Sequence, residues 1–299
     1  MTTTVLLMAY GTPARPEDVE AYYTDIRRGR PPTPELLADL VARYAAIGGL
    51  SPLAARTEAQ RAALQGALDQ RAPGQYEVVL GYKHVAPRVE DAVAGMRAAP
   101  VVGLVLAPHW SAASVGEYHE RAAKAAASVG LAYTAIERWH LEPAYLDFQA
   151  AAVTGVLATM PANTKVLFTA HSLPQRVIAA GDPYAELLRE SADAVARRAG
   201  LAPWGGWSVG YQSAGRTPEP WLGPDVRTVI EELAASPGAT GLLVCPLGFV
   251  ADHLEVLYDL DIEARRHADE RGLDFARTPV VNDDPAVMGA LADRVVKRG

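Results

Sequence analysis

One cysteine, Cys245, stands in a chain of 299 residues. It cannot form an internal disulfide, and an iron–sulfur cluster takes four thiolates, so the chain reads as cytosolic and cluster-free. Cys245 lies inside an apolar run and is expected to pack as a small hydrophobe. No apolar stretch is long enough to span a bilayer. Met1–Thr4 lacks the basic flank of a signal peptide and leads straight into a predicted strand. The formal net charge of −7 leaves no general basic face for nucleic acid. The G-x-G-x-x-G and G-x-x-x-x-G-K patterns of nucleotide binding are both missing. Gly11-Thr12-Pro13 and Gly48-Gly49 are too sparse to cradle a diphosphate, so no nucleotide cofactor is expected.

What is present is an alternation of short apolar runs with longer amphipathic ones. Val5–Ala9, Glu77–Gly81, Val101–Ala107, Lys165–Ala170, Ser208–Tyr211 and Thr240–Pro246 read as buried strands. Helices are predicted over Glu17–Arg27, Glu35–Ala46, Leu53–Gln70, Val89–Arg97, Val115–Ala127, Tyr145–Thr159, Tyr184–Ala199, Asp225–Ala235, His253–Arg271 and Pro285–Lys297. The fold class is α/β, as two similar Rossmann-like domains with parallel sheets and a cleft between them. The first is expected over residues 1–140, completed by the C-terminal helix at 285–299, and the second over 141–284, joined near Glu137–Pro143.

Two stretches echo two others in the same order. Leu6-Leu7-Met8-Ala9-Tyr10-Gly11-Thr12-Pro13 matches Leu167-Phe168-Thr169-Ala170-His171-Ser172-Leu173-Pro174. Val105-Leu106-Ala107-Pro108, running on to Ser114 and Glu117, matches Leu243-Val244-Cys245-Pro246, running on to Asp252 and Glu255. Between them, Gly81-Tyr82-Lys83-His84 sits opposite Gly210-Tyr211-Gln212-Ser213. Ligands of open α/β sheets bind beyond the carboxyl ends of the strands, where Tyr10, His109, His171 and the Cys245–Glu255 loop fall.

His171 can serve there as a metal ligand or proton acceptor, or simply as a hydrogen-bonded strand end. Asp252 with Glu255, and Ser114 with Glu117, also read as capping boxes. Glu255, Asp259 and Glu263 recur every four residues, about 6 Å apart along one helix face. Like charges at that spacing destabilise a helix by roughly 0.2–0.5 kcal/mol per pair. The stripe therefore reads either as a passage for cations or protons, or as a solvated acidic face. Tyr10 and Tyr118 offer phenol groups at the cleft mouth, and Arg27, Arg43 and Ser51 offer carboxylate recognition. The cluster Arg27, Arg28 and Arg30 suits an anion or a solvated helix end. His84, His109, His119, His140, His253 and His267 have no ligand spacing among themselves and are read as structural.

Several motifs together resemble the ferrochelatase family, most closely its short Gram-positive bacterial type. They are Met8–Pro13, Ile26-Arg27-Arg28-Gly29-Arg30, Arg43–Leu53, Leu106–His109, Ala170–Pro174, Trp221–Pro224 and Gly248–Asp259. The resemblance covers almost the whole chain. It implies insertion of Fe2+, as a substrate, into a porphyrin held between the two domains, with no tightly bound cofactor. By the same resemblance, His171 and Glu255 form the metal-binding pair that also handles the pyrrole protons. Tyr10 lies on the opposite face, axial to the inserted iron. Arg27, Arg43, Tyr44, Ser51 and Tyr118 receive the macrocycle and its propionates, and Asp259 with Glu263 form an outer metal site. The short bacterial type implies coproporphyrin III, haem biosynthesis, and a cytoplasmic monomer that meets a haem-pathway partner only transiently. The rival readings are a protoporphyrin chelatase, a cobalt or nickel tetrapyrrole chelatase, and a haem carrier without turnover.

Overall fold

The computed structural model describes residues 2–96, 100–203 and 205–298. Among these, eight strands form two four-stranded parallel sheets. In the first half, β1 (Thr3–Ala9), β2 (Tyr76–Tyr82), β3 (Val101–Val105) and β4 (Tyr133–Ile136) lie in the order β2-β1-β3-β4. In the second, β5 (Thr164–His171), β6 (Trp207–Gln212), β7 (Gly241–Cys245) and β8 (Asp274–Arg277) lie in the order β6-β5-β7-β8. The α/β class and the repeated sheet read from the sequence are therefore present. The edge strands β4 and β8 are additional. Four residues each and partly polar, Tyr-Thr-Ala-Ile and Asp-Phe-Ala-Arg, they lack a buried strand's continuous apolar run.

The helices are α1 (Val19–Ile26), α2 (Pro34–Ala46), α3 (Leu53–Arg71), α4 (Val89–Ala94), α5 (Glu117–Ser128), α6 (Pro143–Leu157), α7 (Gln175–Ala179), α8 (Tyr184–Arg198), α9 (Val226–Ala234), α10 (Leu254–Leu257), α11 (Arg265–Asp269) and α12 (Pro285–Val296). The helix expected over Val89–Arg97 ends at Ala94 within the described residues; Arg97 itself lies outside them, as does Gly299. None of these helices is long and apolar enough to cross a membrane.

The strand alternation of period two decides how the layers meet. Val5 and Leu7 point into a central core shared with Val166, Phe168, Ala170, Leu243 and Cys245. Leu6 and Met8 point the other way, onto α4 and α5, and Leu167 points onto α9 and α11. The central core is closed by α3, α6 and α12, whose Leu64, Val153 and Leu291 are fully buried. The last helix packs on α3 and α6, and Arg71–Asp293 and Arg294–Glu142 ion pairs hold it there. Inside the junction Glu137–Pro143, Trp139 is buried and donates from Nε1 to the Val105 carbonyl at 3.0 Å.

The echo between the halves is kept in register on one side of each central strand. Met8 lies beside Gly81 as Thr169 lies beside Gly210. On the other side it is displaced. Leu7 pairs with Leu104, whereas Phe168 pairs with Cys245 and not with Leu242, which the echo would place there. A strand apolar on both faces carries no inward–outward alternation to fix register, so similar sequence did not specify similar pairing.

Candidate active site

In each sheet the chain leaves the central strand for opposite neighbours, which opens a crevice at the carboxyl ends of β1 and β3, and of β5 and β7. The two crevices form one cleft of about 1230 Å³. Tyr10, Arg27, Arg43, Tyr44, Ser51, Tyr118, His171, Glu255, Asp259 and Glu263 all line it.

Tyr10 follows β1 at a turn that needs Gly11. There φ is +87°, and a Cβ would stand 2.5 Å from Val85. Tyr10 is 42 % exposed into the cleft, with its ring 4.4 Å from that of His84. Desolvation, then the charges of Glu255, Glu117 and Asp25, push its phenol well above the ordinary tyrosine range. It stays protonated at neutral pH. Tyr118 is buried below the Lys83 ammonium, which sits 5.3 Å from its ring centroid.

His171 ends β5, and Tyr184 Oη donates to its backbone carbonyl at 3.1 Å. Its Nδ1 lies 2.5 Å from the Ser172 carbonyl. A carbonyl only accepts, so Nδ1 carries a hydrogen, and Nε2 is the nitrogen that offers a lone pair when the ring is neutral. Nε2 stands 3.7 Å from Glu255 Oε1, beyond a hydrogen bond. His253 repeats the arrangement: Nδ1 donates to the Ala251 carbonyl at 2.9 Å, and Nε2 is 3.7 Å from Glu255 Oε2. Burial opposes ionisation of Glu255, but His171, His253 and Arg43 outweigh it and hold the carboxyl at about 2. The site thus presents an ionised carboxylate beside two imidazole Nε2 atoms, each of which carries either a proton, and with it the charge that lowers the carboxyl, or a free lone pair. Divalent first-row ions bind such atoms at about 2.0–2.2 Å, so one ion can touch both across this gap.

Glu255 is placed by the loop between β7 and α10. Gly248 presses against β5, where a Cβ would meet Ala170 Cβ at 2.4 Å. Gln60 of α3 donates to the carbonyls of Val250 and Asn282 at 2.9 and 3.0 Å. Gln212 Nε2 donates to the Glu255 carbonyl at 3.0 Å, while its Oε1 accepts from Thr169 Oγ1.

Three expectations are corrected here. Asp252 does not cap the following helix; it accepts from Arg277 at 3.3 Å and Asn282 at 2.8 Å, and His253 is the N-cap residue. A carboxylate gains more from a charged donor than from a backbone N–H. Ser114 is likewise inside a π turn, Ala112–Gly116, whose N-cap is Ser111. The helix expected over His253–Arg271 is broken by a π segment, Asp259–Ala264, in which Glu263 N donates to the Tyr258 carbonyl. Asp259 and Glu263 nevertheless remain on the cleft side.

Asp259 does not stand free as a solvated acid. Arg43 pairs with it across the cleft, with its guanidinium 4.6 Å over the Tyr258 ring, and Ser213 Oγ donates to its other oxygen. Arg43 comes from α2, started by Thr33, whose Oγ1 accepts from Leu36 N, and by Pro34 at N1. Burial, and then Glu255 against the opposing Arg43, raise the Asp259 carboxyl to about 6. That lies above its value in an unfolded chain, so the folded state holds a proton there that the unfolded state lacks. Stability accordingly falls as pH rises from about 4 to 6. The Asp259→Asn variant lacks this dependence. Relative to the parent it should gain up to roughly 3 kcal/mol between pH ~4 and ~7 in urea unfolding. A pH-independent difference would contradict the assignment.

The remaining expected residues are engaged locally. Arg27 Nε donates to the Arg30 carbonyl at 3.2 Å, Ser51 Oγ accepts from Leu53 N at 3.3 Å, and Tyr44 packs with Val19 and Leu254. His253, Lys83 and Gln212 belong to the site but were not singled out from the sequence. His253 reads there as one of six scattered histidines, although its place two residues before Glu255 was visible. Among the described residues, no three His, Cys, Asp or Glu side chains converge to hold a metal ion.

The ferrochelatase family model matches residues 2–299. The coproporphyrin III ferrochelatase of Geobacillus kaustophilus is 46% identical over 307 residues, covering 99% of this chain and 96% of that protein. The coproporphyrin III ferrochelatase of Anoxybacillus flavithermus is 44% identical over 301 residues, covering 98% and 95%. Among solved structures, SirB from Bacillus subtilis with Fe3+ superposes with a TM-score of 0.58 at 14% identity, covering 99% of this chain and 95% of that one. CbiX, the terminal enzyme for biosynthesis of sirohaem in denitrifying bacteria, gives 0.55 at 14% identity, with 99% of both chains covered. These two show the shared fold. Two parallel sheets facing one cleft, and a family match along nearly every residue, lead to one conclusion: the chain belongs to the ferrochelatase family.

Proposed function

We propose that this protein inserts Fe2+ into coproporphyrin III, giving iron coproporphyrin for haem biosynthesis. The observation that carries the reading is the His171 Nε2–Glu255 Oε1 pair, 3.7 Å apart and lining a cleft of about 1230 Å³. Imidazole and one carboxylate hold ferrous iron less tightly than thiolates would, which suits an ion that must be passed on. With the protein donors, His171, His253 and Glu255, confined to one side, the opposite side of the iron stays open to the ring. Metallation expels two pyrrole protons; once iron has left it for the ring, His171 Nε2 accepts them one at a time and passes each to water in the open cleft, while ionised Glu255 stabilises the imidazolium in between. Tyr10, held protonated, closes the other face.

Arg27, Arg43 and Ser51, with Tyr44 and Tyr118, receive the macrocycle and its propionates. Asp259 and Glu263 feed iron towards Glu255. Arg43 thus has two anionic partners, Asp259 and a propionate. The chain divides near residue 140, with the substrate-side loops before it and the metal-side residues after it. We place the protein in the cytoplasm as a monomer, where its single buried thiol, pushed up to about 12 by burial, stays inert.

The relatives named above support coproporphyrin over protoporphyrin. Anaerobic Fe2+ insertion is expected to be at least tenfold more efficient in kcat/KM with coproporphyrin III than with protoporphyrin IX. Each additional paired propionate adds charge-assisted hydrogen bonds of about 1.5–3 kcal/mol. Equal efficiency, or insertion of Co2+ or Ni2+ without Fe2+ insertion, would overturn the reading.

A further inference from the structure

Each half of the chain presents three comparable side chains to the cleft. The second half offers His171 from the end of its central strand, Gln212 from the end of the neighbouring strand, and Glu255 from the helix after the third strand. The first half offers Tyr10, Lys83 and Glu117 from the same three places. Lys83 and Gln212 follow β-strand residues in matching register, Tyr82 beside Ala9 and Tyr211 beside Ala170.

The two carboxylates are treated differently. Gln212 bonds only the backbone of Glu255 and leaves the carboxylate to two imidazoles. Lys83 instead donates from Nζ to Glu117 Oε2 at 2.8 Å, with its side chain 11 % exposed. The nearby guanidinium groups are committed elsewhere, Arg88 to Asp25 and Arg121 to Glu90, and burial disfavours a charge on His84, which bonds Asp25. Lys83 is therefore the cation that compensates Glu117. Where the second half has His253, the echoed position of the first half is Val115, which is buried and offers no donor.

We propose that Lys83 determines the face from which metal reaches the tetrapyrrole. Its ammonium fills, as a resident cation, the place beside Glu117 that metal takes beside Glu255. A divalent ion approaching Glu117 meets a fixed like charge, so the first half only closes the ring while the second half passes iron. The proposal rests on the metal-insertion reading, but its test uses metal alone and no porphyrin.

The test gives the first half the donors of the second. The Tyr10→His/Lys83→Gln variant is expected to bind one more equivalent of Co2+ than the parent, read from Co2+ absorption and titration calorimetry. Tyr10→His with Lys83 retained should bind no extra equivalent. Adding Glu117→Gln to the double variant should abolish it, and Lys83→Met in place of Lys83→Gln should preserve it if the glutamine variant folds poorly. An extra equivalent in the Tyr10→His single variant would overturn the proposal. So would its absence in both folded double variants, or its survival with Glu117→Gln. Whether the parent metallates porphyrin is decided separately, so loss of one conclusion does not carry the other.

Discussion

Iron insertion by the His171→Ala variant is expected to be about 10²–10⁴-fold slower than by the parent, the usual size of a lost acid–base contribution. The effect should fall on kcat and leave the porphyrin KM within a few fold. His171 touches the metal and the pyrrole protons in this account, and no propionate. Its Nδ1 is committed to the Ser172 carbonyl, so Nε2 alone faces Glu255 and can accept a proton. Glu255→Gln keeps the shape and removes the charge, and should lower kcat by a similar order. A loss confined to KM in either variant would assign these residues to ring binding instead.

The second large effect is expected at Arg43. Replacing it by alanine should raise the KM for coproporphyrin by about 10- to 150-fold, the equivalent of one charge-assisted hydrogen bond. A counter-ion of Asp259 and nothing more would behave otherwise. Asp259 is partly buried and paired with Arg43 across the cleft, so loss of a merely structural pair would lower thermal stability and leave KM unchanged. Both measurements on the same variant separate the two roles. Asp259→Asn gives the complementary result, since it releases Arg43 without removing the cation.

Tyr10 and His171 were legible because each is a polar residue closing a continuous apolar strand, and parallel sheets put such positions at a cleft. Glu255, Asp259 and Glu263 were legible as charge repetition that a helix tolerates poorly. What failed to show was mostly non-local. Asp252 in front of Glu255 has the pattern of a helix start, and only the fold brings Arg277 and Asn282 to it. The displaced pairing of β7 is hidden because Leu242–Cys245 are apolar on both faces. The π segment leaves the spacing by four unchanged in sequence while altering the turn that carries it. His253 is informative only once its extended backbone turns Nε2 towards Glu255.

The family membership rests on nearly the full chain, whereas the chemistry rests on the arrangement of His171 and Glu255 around one cation. Single-turnover metallation tests that arrangement most directly, with coproporphyrin III bound beforehand and Fe2+ added without oxygen. The parent is expected to convert the bound ring to its iron form, while His171→Ala and Glu255→Gln hold the ring unmetallated over the same interval. Metallation by both variants at the parent rate would contradict the account.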